Sequence, residues 1–165
     1  MTDAAPSPFA APAADHDALE MGTALTPRFG ADGLVTAVVI DRASRDVVML
    51  AHMNADALAK TIATGIATYW SRSRGALWVK GETSGNRQLV RRLRVDCDQD
   101  AVVLEVDVEG HGASCHRGFH SCFYREVAIG APLGTPLAFV ETDPAFDPAA
   151  VYGSACGHDH GSGAD

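Results

Sequence analysis

The motif Asp96-Cys97-Asp98-Gln99-Asp100 is followed by Cys115-His116 and, seven residues after Cys115, by Cys122. Three closely spaced aspartates and three cysteines thus fall within 27 residues. Thiolates suit a soft or borderline ion such as zinc, whereas carboxylate oxygens suit magnesium or calcium. The composition of this stretch predicts two metals of different character close together.

Along an extended chain, side chains alternate between faces, so Leu93, Val95 and Cys97 would share one face and Arg92, Arg94, Asp96 and Asp98 the other. Asp100 joins Asp96 and Asp98 if that conformation persists. Carboxylates so placed repel one another unless a cation neutralises them. A calcium-binding helix–loop–helix is excluded, because its sixth loop position would be Ala101 rather than Gly and its twelfth Asp107 rather than Glu. The cysteine separations, 18 and then 7 residues, match no paired-knuckle zinc module. Three thiolates would leave one tetrahedral position open, which separates catalytic from structural zinc; Cys156 would close the shell if it served as a fourth ligand. Water on zinc can have a pKa near ~7. His116, beside Cys115, is either a general base or a neighbour that orients a thiolate by hydrogen bonding.

Two polar-aromatic blocks precede this region, Tyr69-Trp70-Ser71-Arg72-Ser73-Arg74-Gly75 and Trp78-Val79-Lys80-Gly81-Glu82-Thr83-Ser84-Gly85-Asn86. Arginine forks match phosphate oxygens, and Ser84 and Gly85 offer a hydroxyl and a backbone N–H to the same kind of group. Trp70 and Trp78 either stack on a base or fill the core. Seven of the 13 basic residues (Arg72, Arg74, Lys80, Arg87, Arg91, Arg92 and Arg94) lie in this part of the chain. Such a patch on an acidic protein suits a small phosphorylated ligand.

The elements that must position these groups are mostly strands. Leu34 to Ile40 and Val47 to Met53 are β-branched runs joined by a polar segment, Asp41 to Asp46, that suits a hairpin. Asn54 is placed to cap a helix through Ala55, Leu58, Ala59 and Ile62, which Gly65 ends. Ile66 to Ser71, Ala76 to Lys80, Leu89 to Cys97, Val102 to Val108 and Phe123 to Val127 read as strands. The expected fold is α+β, a mostly antiparallel β-sheet domain with one main helix. The 165 residues, 47% hydrophobic, suffice for one domain over residues 18–142 without disulfide staples. Residues 1–17 and 143–165, rich in Ala, Pro and Gly, read as flexible tails, the second bearing Cys156, His158 and His160.

A net charge of −8 argues against wholesale binding to nucleic acid or anionic membrane. No run reaches the ~20 apolar residues of a membrane span, and the first residues lack the pattern of a secretory signal. A cytoplasmic location is the expectation, where cysteines bind metal more often than they pair.

Met49-Leu50-Ala51-His52-Met53-Asn54, both polar-aromatic blocks through Arg87-Gln88, Asp96 to Asp100, Cys115-His116-Arg117-Gly118 and Ser121-Cys122-Phe123 together resemble the phosphoribosyl-AMP cyclohydrolase family of histidine biosynthesis. The resemblance covers about Leu34 to Val127. It implies hydrolysis of the bond between nitrogen 1 and carbon 6 of 1-(5-phosphoribosyl)-AMP by a homodimer. It also implies zinc at Cys97, Cys115 and Cys122, drawn from both subunits, and magnesium at Asp96, Asp98 and Asp100. Arg72, Arg74, Lys80 and Ser84 would hold phosphates, and His116 would pass a proton to the departing nitrogen. The position of Asn86 is often His in the family, and the motifs assign no role to His111 or His120. Some relatives carry a fused pyrophosphohydrolase domain, for which the 38 residues after Val127 are too few. Two alternatives compete: a zinc-dependent purine nucleotide deaminase, whose HxE and PCxxC pattern is missing here, and a non-catalytic structural-zinc nucleotide-binding module.

Overall fold

The computed structural model describes residues 7–153; Cys156, His158 and His160 lie outside them. Helix α1 (His16–Glu20) is followed by β1 (Val35–Asp41), β2 (Val47–Met53), α2 (Ala55–Thr64), β3 (Thr68–Ser71), β4 (Ala76–Val79), β5 (Gln88–Val95) and β6 (Ala101–Val108). Strands β7 (Arg125–Glu126) and β8 (Ala138–Phe139) and helix α3 (Pro148–Tyr152) complete the chain. The expected main helix is α2. Its N-cap Asn54 accepts from the Ala57 N–H, and Gly65 ends it in the left-handed conformation at φ 68°. Strand β7 is much shorter than the run Phe123 to Val127 suggested.

Four strands form one sheet in the order β2-β1-β6-β5. Pairs β1–β2 and β5–β6 are antiparallel, but β1–β6 is parallel. That pairing is possible because a long connection, carrying α2 and the separate β3–β4 hairpin, spans the two strands. Alternation buries Val35, Ala37 and Val39 of β1 and Val102, Leu104 and Val106 of β6 on one face. Val48 and Met53 of β2, Ala57 and Leu58 of α2 and Tyr69 of β3 close over them. Each fully buried Val or Leu contributes about 1.5–3 kcal/mol, so this layer fixes the sheet that carries the site.

The opposite face holds the charges of β5 and β6. Glu105 is ringed by Arg45 (3.3 Å), Arg94 (3.3 Å) and Arg92 (3.7 Å), and Asp107 takes Arg42 and Arg91, each at 2.7 Å. Three arginines of the basic segment are therefore committed to carboxylates of the sheet itself.

A tyrosine in the core needs a partner for its hydroxyl. Tyr69 Oη donates to Gln88 Oε1 at 2.7 Å, and Gln88 Nε2 donates to Ser114 Oγ at 3.1 Å. Burial pushes the Tyr69 phenol well above its ordinary pKa. Phenylalanine at position 69 would strand the buried Gln88 oxygen, and a loss of about 1–3 kcal/mol in chemical denaturation is expected.

Candidate functional site

The aspartates converge, but not by strand alternation. Strand β5 ends at Val95 and the chain turns through Gln99, a non-glycine residue at φ 59°. This turn brings one oxygen each from Asp96, Asp98 and Asp100 within 4.8 Å of one another. The left-handed backbone at Gln99 costs energy, and its buried side chain fixes the turn. Gln99 Oε1 accepts from Thr26 N (2.8 Å), while Nε2 donates to the carbonyls of Ala24 (3.1 Å) and Leu19 (3.4 Å). Arg28 adds an ion pair to Asp98 at 2.7 Å. The segment after α1 is thus a strap over the acidic turn. Ahead of it, within residues taken from composition as a tail, the Phe9 ring lies 6.2 Å from that of Phe29. The charges of Asp98 and then Asp96 push the Asp100 carboxyl above its ordinary pKa. Oxygen donors under that mutual repulsion fit a hard divalent cation.

The thiols divide differently. Cys115 and Cys122 sit on a loop folded back on itself: Ser114 N donates to His120 O and Cys115 N to Phe119 O, both at 3.1 Å. Cys122 N reaches the Val48 carbonyl of β2 at 2.8 Å, and Ser121 Oγ that of Val47 at 2.8 Å. Glu141 clamps the same loop by accepting from His120 N (2.8 Å) and Ser121 N (3.1 Å). The two thiols share a hydrogen bond that pulls Cys115 down to about 6 and pushes Cys122 up; the Arg117 N–H, 3.4 Å from Cys115 Sγ, and Lys80 also favour the Cys115 thiolate. Cys97 is exposed within the acidic turn, between Asp96 and Asp98. Among the described residues, no cluster of three ligating side chains contains a cysteine. The pair Cys115 and Cys122 fits a thiophilic ion as half of a tetrahedral shell, so one described chain brings two of the three expected thiols together, not three.

A cleft of about 360 Å³ opens beside Cys122. Its wall includes Arg74, Trp78, Lys80, Ser84, His116 and Tyr152. Five residues singled out in the sequence, Arg74, Lys80, Ser84, His116 and Cys122, therefore meet at one opening. Arg72 lines a shallower groove of about 790 Å³ with His52 and Trp70, and Arg74 and Trp78 belong to both. Burial lowers the pKa of His52, and the nearby Arg72 lowers it further.

Lys80 differs from its expected place among solvent-facing phosphate ligands. Only 7% exposed, it donates from Nζ to the Ser114 carbonyl at 2.6 Å. Burial lowers its pKa, while the charges of Cys122 and Cys115 oppose that fall. The ammonium is a counter-charge at the thiol end of the cleft. Gly85 also departs from expectation. Its N–H donates to the Gly81 carbonyl at 2.9 Å, so this donor is spent within the turn. Asn86 is a buried brace whose Oδ1 accepts from His111 N at 2.7 Å. The ring of His120 bridges Gly112 O (3.1 Å) and Ser44 Oγ (3.2 Å).

Sequence reasoning gave no role to Gln88, Ser114, Glu141 or Tyr152. Gln88 opens β5 between Arg87 and Leu89, where the sequence carries no signal of its burial. Glu141 and Tyr152 reach the loop from far along the chain and carried none.

The comparisons with known proteins bear on these same elements. The family profile of phosphoribosyl-AMP cyclohydrolase matches residues 49–124, which run from β2 through both polar-aromatic blocks and the acidic turn to the loop of Cys115 and Cys122. A phosphoribosyl-AMP cyclohydrolase of Chelativorans sp. is 60% identical over 129 residues, covering 77% of this chain and 93% of that protein. One of Rhizobium leguminosarum bv. trifolii is 53% identical over 147 residues, covering 88% and 96%. One of Bradyrhizobium sp. is 59% identical over 129 residues, covering 78% and 98%. Identity at this level, over nearly the whole of each relative, establishes that the chain belongs to the phosphoribosyl-AMP cyclohydrolase family.

Proposed function

We propose that the chain hydrolyses the bond between nitrogen 1 and carbon 6 of 1-(5-phosphoribosyl)-AMP, a step of histidine biosynthesis, at the cleft beside Cys122. The observation that carries this reading is the meeting of Arg74, Lys80, Ser84, His116 and Cys122 on that one wall. The substrate carries two phosphate-bearing ribose arms, and two adjoining grooves sharing Arg74 and Trp78 suit an elongated, doubly anionic molecule. Arg72 and Arg74 would fork onto phosphate oxygens.

Zinc held by Cys115 and Cys122 would supply hydroxide at neutral pH by acidifying water. Asp96, Asp98 and Asp100 would hold magnesium. The chain's own residues do the rest. Lys80 offsets thiolate charge from below, through its anchor on Ser114. His116, exposed on the cleft wall, hands a proton to nitrogen 1 as the ring opens. The oxygen of water becomes the carbonyl of a carboxamide, and the exocyclic amino group stays in place. The pure protein should therefore open phosphoribosyl-AMP without releasing ammonia; stoichiometric ammonia would point to the deaminase instead.

The working unit in this reading is a homodimer in which Cys97 of the partner subunit completes the zinc shell. Two features support it: Cys97 lies exposed and apart from the thiol pair, and an apolar arm leaves the domain directly after Cys122. Along that arm Ile129 is 99% and Leu133 105% exposed, with Val127, Leu137, Phe139 and Val140 also open to solvent. Rings of Phe119, Tyr124 and Phe139 brace its base. A contiguous apolar surface of this kind marks an association site. Carrying Ile129→Asp and Leu133→Asp together should yield monomers with little zinc in light scattering and metal analysis. A dimer unchanged in mass would remove the arm from the interface.

No helix among the described residues is long and apolar enough to cross a membrane.

A further inference from the structure

The cleft wall is not built by the family motifs alone. Tyr152 belongs to a segment, Glu141 to Tyr152, that lies beyond the profile match at residues 49–124. This segment is pinned to the thiol-bearing loop at successive points. Glu141 clamps His120 N and Ser121 N, and Ala145 N donates to the Gly118 carbonyl at 2.8 Å. Gly118, at φ 89°, lets the chain pass so closely that an added Cβ would meet the Phe146 carbonyl oxygen at 2.5 Å. Phe146, 8% exposed, places its ring 5.4 Å from that of His111. Asp147 then caps α3, with Pro148 in its first turn, and the Tyr152 ring meets that of Phe146 edge-on at 6.1 Å. Composition assigns residues 143 onward to a tail, yet through Tyr152 they run back across the loop and end on the cleft.

We propose that Tyr152 is a substrate-binding residue whose ring, held by Phe146 and the segment before it, packs on the N1-substituted purine at the cleft. The assignment rests on the ring-opening reading above. Tyr152 and Trp78 are the two aromatic rings of Phe, Tyr or Trp type on that wall. An adenine alkylated at nitrogen 1 is a flat, readily protonated amidine, and such a group gains from an aromatic face by stacking and by cation–π attraction. The contact exists in the ground state as well as during ring opening, so it belongs to binding rather than to the chemical step.

The test uses the full-length enzyme with phosphoribosyl-AMP, comparing wild type with Tyr152→Ala, Tyr152→Phe and Phe146→Ala. Base–aromatic contacts of this kind correspond to a rise in KM of roughly tenfold for Tyr152→Ala. The value of kcat should stay within about threefold and zinc content should not change, because uniform binding alone is lost. Tyr152→Phe should keep the wild-type KM, since the ring is retained. Phe146→Ala, which frees Tyr152 from its brace, should raise KM in the same direction. A Tyr152→Ala enzyme whose KM is unchanged would overturn the assignment while leaving ring opening intact. So would one that lost zinc and kcat together, which would mark a purely structural residue. A wild-type enzyme unable to open phosphoribosyl-AMP would instead overturn the ring-opening reading, and this assignment with it.

Discussion

Alanine at Cys97 is expected to abolish zinc retention and turnover together while leaving the fold intact. Cys97 is exposed within the acidic turn, so its removal creates no cavity and should change stability by less than about 0.5 kcal/mol. A residue with so little structural weight loses everything only if its thiol ligates the metal. Loss of an ion that brings the pKa of water from about 15.7 to about 7 should cut turnover by about a thousandfold or more. Alanine at Cys115 or Cys122 should have the same effect, although burial of Cys115 makes a thermal melt a necessary control there. Metal analysis after dialysis, beside initial rates, checks all three. A Cys97→Ala enzyme with stoichiometric zinc would confine the metal to Cys115, Cys122 and ligands of the same chain.

Mixing two inactive variants should restore activity. In a dimer with two-fold symmetry, one zinc shell takes Cys97 from one subunit and Cys115 and Cys122 from the other, and the second shell reverses the roles. A mixed dimer of Cys97→Ala and Cys115→Ala subunits places both changes in one shell and leaves the other whole. With random exchange half the dimers are mixed and each has one intact site, so about a quarter of wild-type turnover is expected. Were each shell built within a single subunit, every site in the mixed dimer would carry one lesion and the mixture would stay inactive. Co-refolding the two variants, with rates measured against each alone, separates these outcomes.

The strands were legible because their alternation is a local property. The run from Val35 to Ile40 shows its buried face in its own residue types, and Asn54 and Gly65 mark both ends of α2. The parallel pairing of β1 with β6 was not legible, since it joins residues some 65 positions apart whose sequences read the same in either direction. The aspartates were recognised as a group for a reason that proved incomplete. Alternation suggested a shared strand face, whereas the left-handed backbone at Gln99, tied down by Thr26 and Ala24, creates the cluster. Nothing near Gln99 in sequence announces those partners.

Lys80 carries a related lesson. A lysine in a basic segment reads as a surface ligand for phosphate, yet its ammonium lies beneath the thiols on the Ser114 carbonyl. Its burial follows from the packing of β4 and the thiol loop, which composition does not report. In the same way Arg91, Arg92 and Arg94 were counted toward an anion site but are bound to Asp107 and Glu105. Arg72 and Arg74 remain on the grooves because the tight turn at Ser71–Gly75 carries them there, with Ser71 Oγ receiving Arg74 Nε at 3.2 Å. The C-terminal segment was hardest to read, because Ala, Pro and Gly there serve a chain packed closely past Gly118.

The central claim is that ring opening depends on zinc at the cleft beside Cys122. Its most direct test follows the ultraviolet absorbance of phosphoribosyl-AMP with the enzyme as purified, after zinc chelation, and after zinc is restored. The expected result is ring opening that disappears on chelation and returns with about one zinc per subunit, as a shell shared between two subunits requires. Undiminished turnover by the zinc-free enzyme, or none from a folded and zinc-loaded one, would contradict the account.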